Sequence, residues 1–266
     1  MILRAQTLVR RCGTDRHGRQ LNGIDRRRLM RFGYYGFYWD PTYILVIVGM
    51  ILCLGASALV NSTMNKYSKV RNMSGMTGAD AARRILNNEG LYNVQIECLR
   101  SDKGDHYDPR TNTVRLSQQN YNGASVTAVS VAAHECGHAI QHAKGYAPLN
   151  IRSALVPVVN IAGNLGMPII LIGVLLSWNY VLIQIGIWAF ALAVLFQLVT
   201  LPVEFNASSR AVAKIDQYGL LSTQENTGCK KVLTAAALTY VAAAASSILQ
   251  LLRLVMLFGG GRRRDD

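Results

Sequence analysis

Residues 153–203 read SALVPVVNIAGNLGMPIILIGVLLSWNYVLIQIGIWAFALAVLFQLVTLPV, without a single Asp, Glu, Lys or Arg. As one helix this stretch would be about 76 Å long, against a hydrocarbon core of about 30 Å. It has to break, and Ser177-Trp178-Asn179 is the polar, interfacial place for the break. The expected product is a hairpin of two membrane spans, 155–176 and 180–200, leaving one face of the membrane and returning to it. Pro157 and Pro168 interrupt the first span, where neighbouring helices can re-satisfy the backbone.

Two further stretches, 41–65 and 232–252, are equally free of charge. They predict one span over 41–60, entered through Asp40-Pro41 with Trp39 and Tyr43 as interfacial aromatics, and another over 234–256. The composition agrees: 50% hydrophobic and only 16% charged, where soluble domains run near about 25% charged. The fold class expected is a mainly α integral membrane protein with about four transmembrane helices and a small α+β domain. A disordered chain, a disulfide-stapled mini-protein and a coiled coil are excluded.

The net charge of +13 is uneven. Residues 1–31 hold nine Arg against Asp15 and Asp25. Such a segment suits anionic lipid. No nucleic-acid-binding pattern accompanies the charge, and no nucleic-acid partner is expected. Residues 1–37 form a basic N-terminal extension with two open readings, a lipid-binding arm or a misassigned start with Met30 as the true one. Residues 257–266 form a basic tail. The five cysteines have no ligand-like spacing, which argues against a disulfide framework or a cysteine zinc site.

The polar residues fall into two segments, 61–153 and 201–231. In the first, Thr77 and Asp80 cap a helix of about 78–89 that ends at Gly90. Residues 94–98 and 113–117 alternate as two short strands, expected to form an antiparallel β-hairpin around the turn-rich Ser101–Arg110 stretch. The strand 113–117 is a candidate edge for an extended peptide. A helix follows over 122–144, capped by Asn122 or Ser125 and closed by Gly145 and Pro148.

That helix carries His134-Glu135-Cys136-Gly137-His138, an HExxH pattern. Spacing of i and i+4 puts both imidazoles on one face, about 6 Å apart, able to hold one Zn²⁺. Glu135, one position on, can serve as general base toward a water activated by the metal. The rest of the helix is rich in Ala and Val, so clustered imidazole and carboxylate there need buried partners or a metal. A catalytic zinc takes a third protein ligand. Lys144 occupies the place of a third histidine six positions past His138, and His142 lies too far along the helix to converge, though it can support a ligand. After Glu135 the next acid is Glu204, at the mouth of the third span, and the hairpin brings it back beside the helix. Glu204 is therefore the expected third ligand, with Asp216 and Glu225 as weaker candidates. Ser208 and Asn206 are candidates for supporting hydrogen bonds, and Arg210, His106, Tyr107, Tyr218 and Tyr240 for stabilising an oxyanion.

Five strings carry a family likeness: GMTGADAARRIL (75–86), DHYDPRTNTVRLS (105–117), AAHECGHAIQHAKGYAPLNIRSALVPVVN (132–160), FQLVTLPVEFNASSRA (196–211) and KKVLTAAALTYVAAAASSILQLL (230–252). Over about 38–258 the chain resembles the membrane-bound neutral zinc metallopeptidases of bacteria, the YugP type. The resemblance implies Zn²⁺, a zincin-like domain and a multi-pass location in the cell membrane, and it favours a start near Met30. It implies no particular substrate. That family is in turn similar to the HtpX-type membrane gluzincins, whose third-ligand segment is E-x-x-A-D; here Glu204 and Ala207 fit it and Ser208 replaces the Asp.

The function expected is a membrane-embedded zinc endopeptidase acting on protein or peptide substrates among membrane lipids. A non-catalytic metal-binding scaffold is the alternative. A transporter is disfavoured because 153–203 contains no ionisable residue for an ion path. The extension pulls the catalytic domain outward by its charge. Without it, Lys66, Lys69, Arg71, Lys144, Arg152, Arg210 and Lys214 pull that domain to the cytoplasm, the side to which the HtpX resemblance also leans.

Overall fold

The structure, a computed structural model, describes residues 40–100 and 104–259. The basic extension 1–37, Trp39 and the arginines at 262–264 lie outside the described residues.

Four helices are long and apolar enough to cross a membrane: α1 (Tyr43–Ser68), α5 (Ala147–Leu175), α6 (Tyr180–Gln217) and α7 (Thr223–Phe258). Between α1 and α5 lie α2 (Gly78–Asn88), β1 (Gln95–Leu99), β2 (His106–Asp108), β3 (Thr113–Ser117), α3 (Gln118–Asn122) and α4 (Val126–Ala143). The protein is thus a mainly α membrane protein with a small α+β domain. Ile44, Leu54, Leu171, Val181 and Trp188 are exposed, as lipid-facing residues should be.

The α5–α6 hairpin turns where the sequence breaks its apolar run. Ser177 and Trp178 take left-handed backbone (φ 58° and 64°), and the Asn179 side chain accepts from Leu182 N to start α6. This costs two strained non-glycine residues, offset by the cap and by Trp178 stacking near Phe258. All four long helices extend past their expected spans at the end nearer the polar domain. Helix α6 has 38 residues, about 57 Å, and passes through Pro202 without stopping. Its first half is a span and its second half is part of the polar domain. Helices α1 and α7 continue in the same way.

The polar domain has its own core. Ile85 and Leu86 of α2, Val114 and Leu116 of β3, Val129 and Ile140 of α4, Ile215 of α6 and Leu233 of α7 are buried together. The expected capping box of Thr77 with Asp80 is formed on α2, and the structure adds a second, Ser222 with Glu225 on α7. Ser125, not Asn122, caps the central helix, because Gly123 and Ala124 separate α3 from α4.

The sheet differs from the expected hairpin. Its order is β1-β3-β2, with β1 parallel to β3 and β2 antiparallel to it. The turn-rich stretch contains a third strand, which takes the hairpin partnership with β3. Strand 113–117 is therefore central, not an edge. Three residues of mixed polarity, His106-Tyr107-Asp108, are too short to show a period of two, which is why β2 escapes a reading by alternation.

Candidate metal centre

Helix α4 carries His134 and His138 on one face, and α6 crosses that face. The crossing is close because Gly137 has no side chain: a Cβ there would stand 2.6 Å from the Ala207 carbonyl oxygen. This approach puts Glu204 between the two imidazoles. His134 Nε2 lies 3.3 Å and His138 Nε2 3.6 Å from Glu204 Oε2. The rings meet edge to face with centroids 4.8 Å apart.

The donor set fits zinc. Ligands about 2.0–2.1 Å from a tetrahedral zinc stand about 3.3 Å from one another, close to the two separations found. One atom from each of the three residues lies within 4.8 Å of the others, and among the described residues this is the one such cluster. The charge also suits a cation. Burial disfavours a protonated His138, yet the Glu204 carboxylate facing it outweighs burial and raises its pKa.

Both imidazoles are held from behind. With Nε2 toward Glu204, His134 Nδ1–H is placed to donate to Ser208 Oγ (3.2 Å) and His138 Nδ1–H to Gln141 Oε1 (3.0 Å). Gln141 is fully buried and donates onward to the Val203 carbonyl at 2.8 Å and to Asn206 Oδ1 at 3.0 Å. Arg210 Nε donates to the same Asn206 oxygen at 2.7 Å. Asn206 and Arg210 thus reach the cluster through Gln141, a residue that sequence reasoning passed over.

Glu135 is buried and lines the pocket over the cluster, a cavity of about 180 Å³. His106 and Tyr240 line it too. So does Tyr107, but its hydroxyl donates to Asn112 Oδ1 (2.7 Å) and also meets His142 Nδ1 (2.9 Å). Burial, with the charge of Asp108, pushes the Tyr107 phenol up to about 12. His142 is exposed and away from the cluster. Tyr218 is not in the pocket; it donates to Glu89 at 2.6 Å. Asp216 accepts from Asn226, and Glu225 caps α7 and accepts from Met73 N, so neither approaches the imidazoles.

Two charged residues of the pocket, Arg152 and Asp105, were missed. Arg152 Nη2 stands 3.9 Å from Glu204 Oε1. The signal was present: Arg152 and Glu204 are the charges that bracket the uncharged block, and the hairpin brings its two ends together. Asp105 accepts from Ser117 N and Asn120 Nδ2, which fixes the approach to β2. Nothing in its surroundings in sequence marks it. A second cavity of about 220 Å³ shares Asp105, His134, Glu135 and Tyr240 with the first and continues toward apolar Val131, Leu233 and Ala237. The cluster therefore sits in a trough, polar on the Arg152 side and apolar on the other.

The family model described as "Putative neutral zinc metallopeptidase" matches residues 42–259. Among curated proteins, "Putative membrane protease YugP" of Bacillus subtilis (strain 168) is 50% identical over 197 residues, which cover 74% of this chain and 87% of that protein. No solved structure matches the chain.

Proposed function

The chain belongs to this neutral zinc metallopeptidase family, and from that premise we propose that it is a membrane-embedded zinc endopeptidase. The observation that carries the reading is the convergence of His134, His138 and Glu204 from two helices, with Glu135 in the same pocket. In this reading the three residues hold Zn²⁺. Zinc, when bound, supplies a Lewis acid that polarises a carbonyl and makes water acidic enough to ionise near neutral pH.

Glu135 takes the proton of the attacking water and passes it to the departing amine. Ser208 and Gln141 fix the imidazoles so that Nε2 of each faces the metal. Arg152 holds the second oxygen of Glu204. His106 and Tyr240, whose side chains reach the pocket, are the donors for the developing oxyanion. An extended peptide lies along β2, whose outer edge is unpaired among the described residues. That assignment moves the substrate edge from β3 to its neighbour. The domain faces the cytoplasm, where Lys66, Lys69, Lys144 and Lys214 at this end of the spans satisfy the positive-inside rule.

Replacing Glu135 with Gln tests the proposal. Zinc content should stay near one per chain, while cleavage of casein by the detergent-solubilised protein should fall by about 10²–10⁴-fold. Equal cleavage by both proteins would point to contamination or another centre. A zinc-loaded wild type that cleaves neither casein nor membrane proteins would favour a metal-binding scaffold.

A further inference from the structure

Helices α1 and α7 run antiparallel and touch closely at two levels. Deep in the apolar part, a Cβ on Gly49 would stand 2.7 Å from Ser246 Oγ, and Cys53 Sγ lies 3.7 Å from the Ala242 carbonyl oxygen. At the polar end, a Cβ on Gly228 would stand 2.7 Å from Tyr67 Cε1. On this side the two helices line a groove of about 540 Å³.

The groove is graded along its length. Leu59 and Leu238 line the end nearer the bilayer centre, and both are exposed to lipid. Lys66, Lys230 and Lys231 line the other end, and the hydroxyls of Thr63 and Thr234 lie between. Leu59 and Lys66 are seven residues apart, about 10 Å along a helix. That length crosses one headgroup layer, about 5–7 Å thick. No Asp or Glu lines the groove, and among the described residues every lysine ion pair belongs to Lys144 or Lys214.

We propose that this groove binds one anionic phospholipid of the surrounding bilayer. Its phosphodiester sits among Lys66, Lys230 and Lys231, and one acyl chain runs along Leu59 and Leu238. Three lysines that line one groove without a carboxylate, Lys66 having only the Tyr67 ring beside it, repel one another, and a phosphodiester removes that repulsion. Basic clefts between spans on the cytoplasmic side suit such headgroups. A free phosphate would satisfy the lysines but leave the apolar end of the groove unused. The groove is separate from the metal centre, and the proposal stands whether or not the protein is a peptidase.

Native mass spectrometry of the full chain in detergent, titrated with phosphatidylglycerol and with phosphatidylcholine of the same acyl chains, tests it. The wild type should take up its first phosphatidylglycerol at least about 10-fold more tightly than phosphatidylcholine, because lysines near the membrane surface attract anionic headgroups. The triple variant Lys66→Gln, Lys230→Gln, Lys231→Gln should bind both lipids equally. A control with Arg84→Gln and Arg110→Gln, both exposed and away from the groove, should keep the selectivity. Thr63→Trp, which fills the groove and keeps its charge, should weaken the first phosphatidylglycerol. Equal affinity for the two lipids in the wild type overturns the proposal, and so does undiminished selectivity in the triple variant. Displacement of the lipid by equimolar glycerol 3-phosphate would assign the lysines to a soluble phosphate compound instead.

Discussion

In its bilayer half, α6 meets α5 at Gly186, where a Cβ would stand 2.7 Å from the Gly166 carbonyl oxygen and would collide with Ile170. In its domain half the same helix meets α4 at Gly137, where a Cβ would stand 2.6 Å from the Ala207 carbonyl oxygen. Both are contacts of backbone on backbone made possible by glycine. Around Gly186 the neighbours are Ile170, Ile183 and Ile187, apolar and without directional partners. Around Gly137 nearly every polar atom is bonded, from His134 to Ser208 and from His138 through Gln141 to Asn206. Dispersion alone holds the first contact, since lipid is as apolar as the side chains. The second also fixes angles. One helix therefore has a half that tolerates sliding and a half that does not.

Substitutions at the two contacts separate these properties. Gly137→Ala should have the largest effect, forcing α4 and α6 apart so that Glu204 leaves the imidazoles. Zinc content should drop to background by metal analysis, with a loss of about 1–3 kcal/mol in stability typical of overpacking. Next is Glu204→Gln, which removes the ligand charge and leaves the packing. Zinc affinity should fall by at least about 10–100-fold in a chelator competition, and Ser208→Ala should cost less. A reversed ranking of those two variants would remove Glu204 from the ligand set. Gly186→Ala should lower the thermal midpoint much as Gly137→Ala does, yet leave zinc at its wild-type level. If zinc is lost there as well, the two halves of α6 are not independent. Smallest is Gly163→Ala in α5, where nothing lies within 4 Å of the added methyl. It should raise stability by no more than about 1 kcal/mol, the helix preference of Ala over Gly, and leave zinc unchanged.

The spans were legible because charge is excluded from lipid so strongly that its absence over 51 residues has few other causes. The return of Glu204 to the helix bearing His134 followed from the same fact, since a hairpin brings its ends together. Arg152 was open to that argument and was overlooked, although it flanks the block on the other side. The sheet was less legible. A parallel β1–β3 pair and a three-residue β2 depend on packing over α4, and a strand of three residues carries no periodic signal. Gln141 illustrates a further limit. A glutamine on a helix reads as surface, and only the crossing of α6 reveals that it is fully buried between His138 and Val203.

The unbroken course of α6 joins the candidate metal site directly to a membrane span. Glu204 stands four residues past 200, the position at which the sequence is expected to leave the apolar span, which is about 6 Å further along the helix axis. No loop lies between the apolar part of α6 and Glu204 to absorb movement. A bilayer that is too thin or too thick makes a span tilt, and α6 carries that tilt to its bonded crossing with α4, which is not itself a span. The crossing at Gly137 thus stands between the bilayer and the three-residue cluster, and it is the joint at which a tilting span meets a part of the molecule outside the lipid.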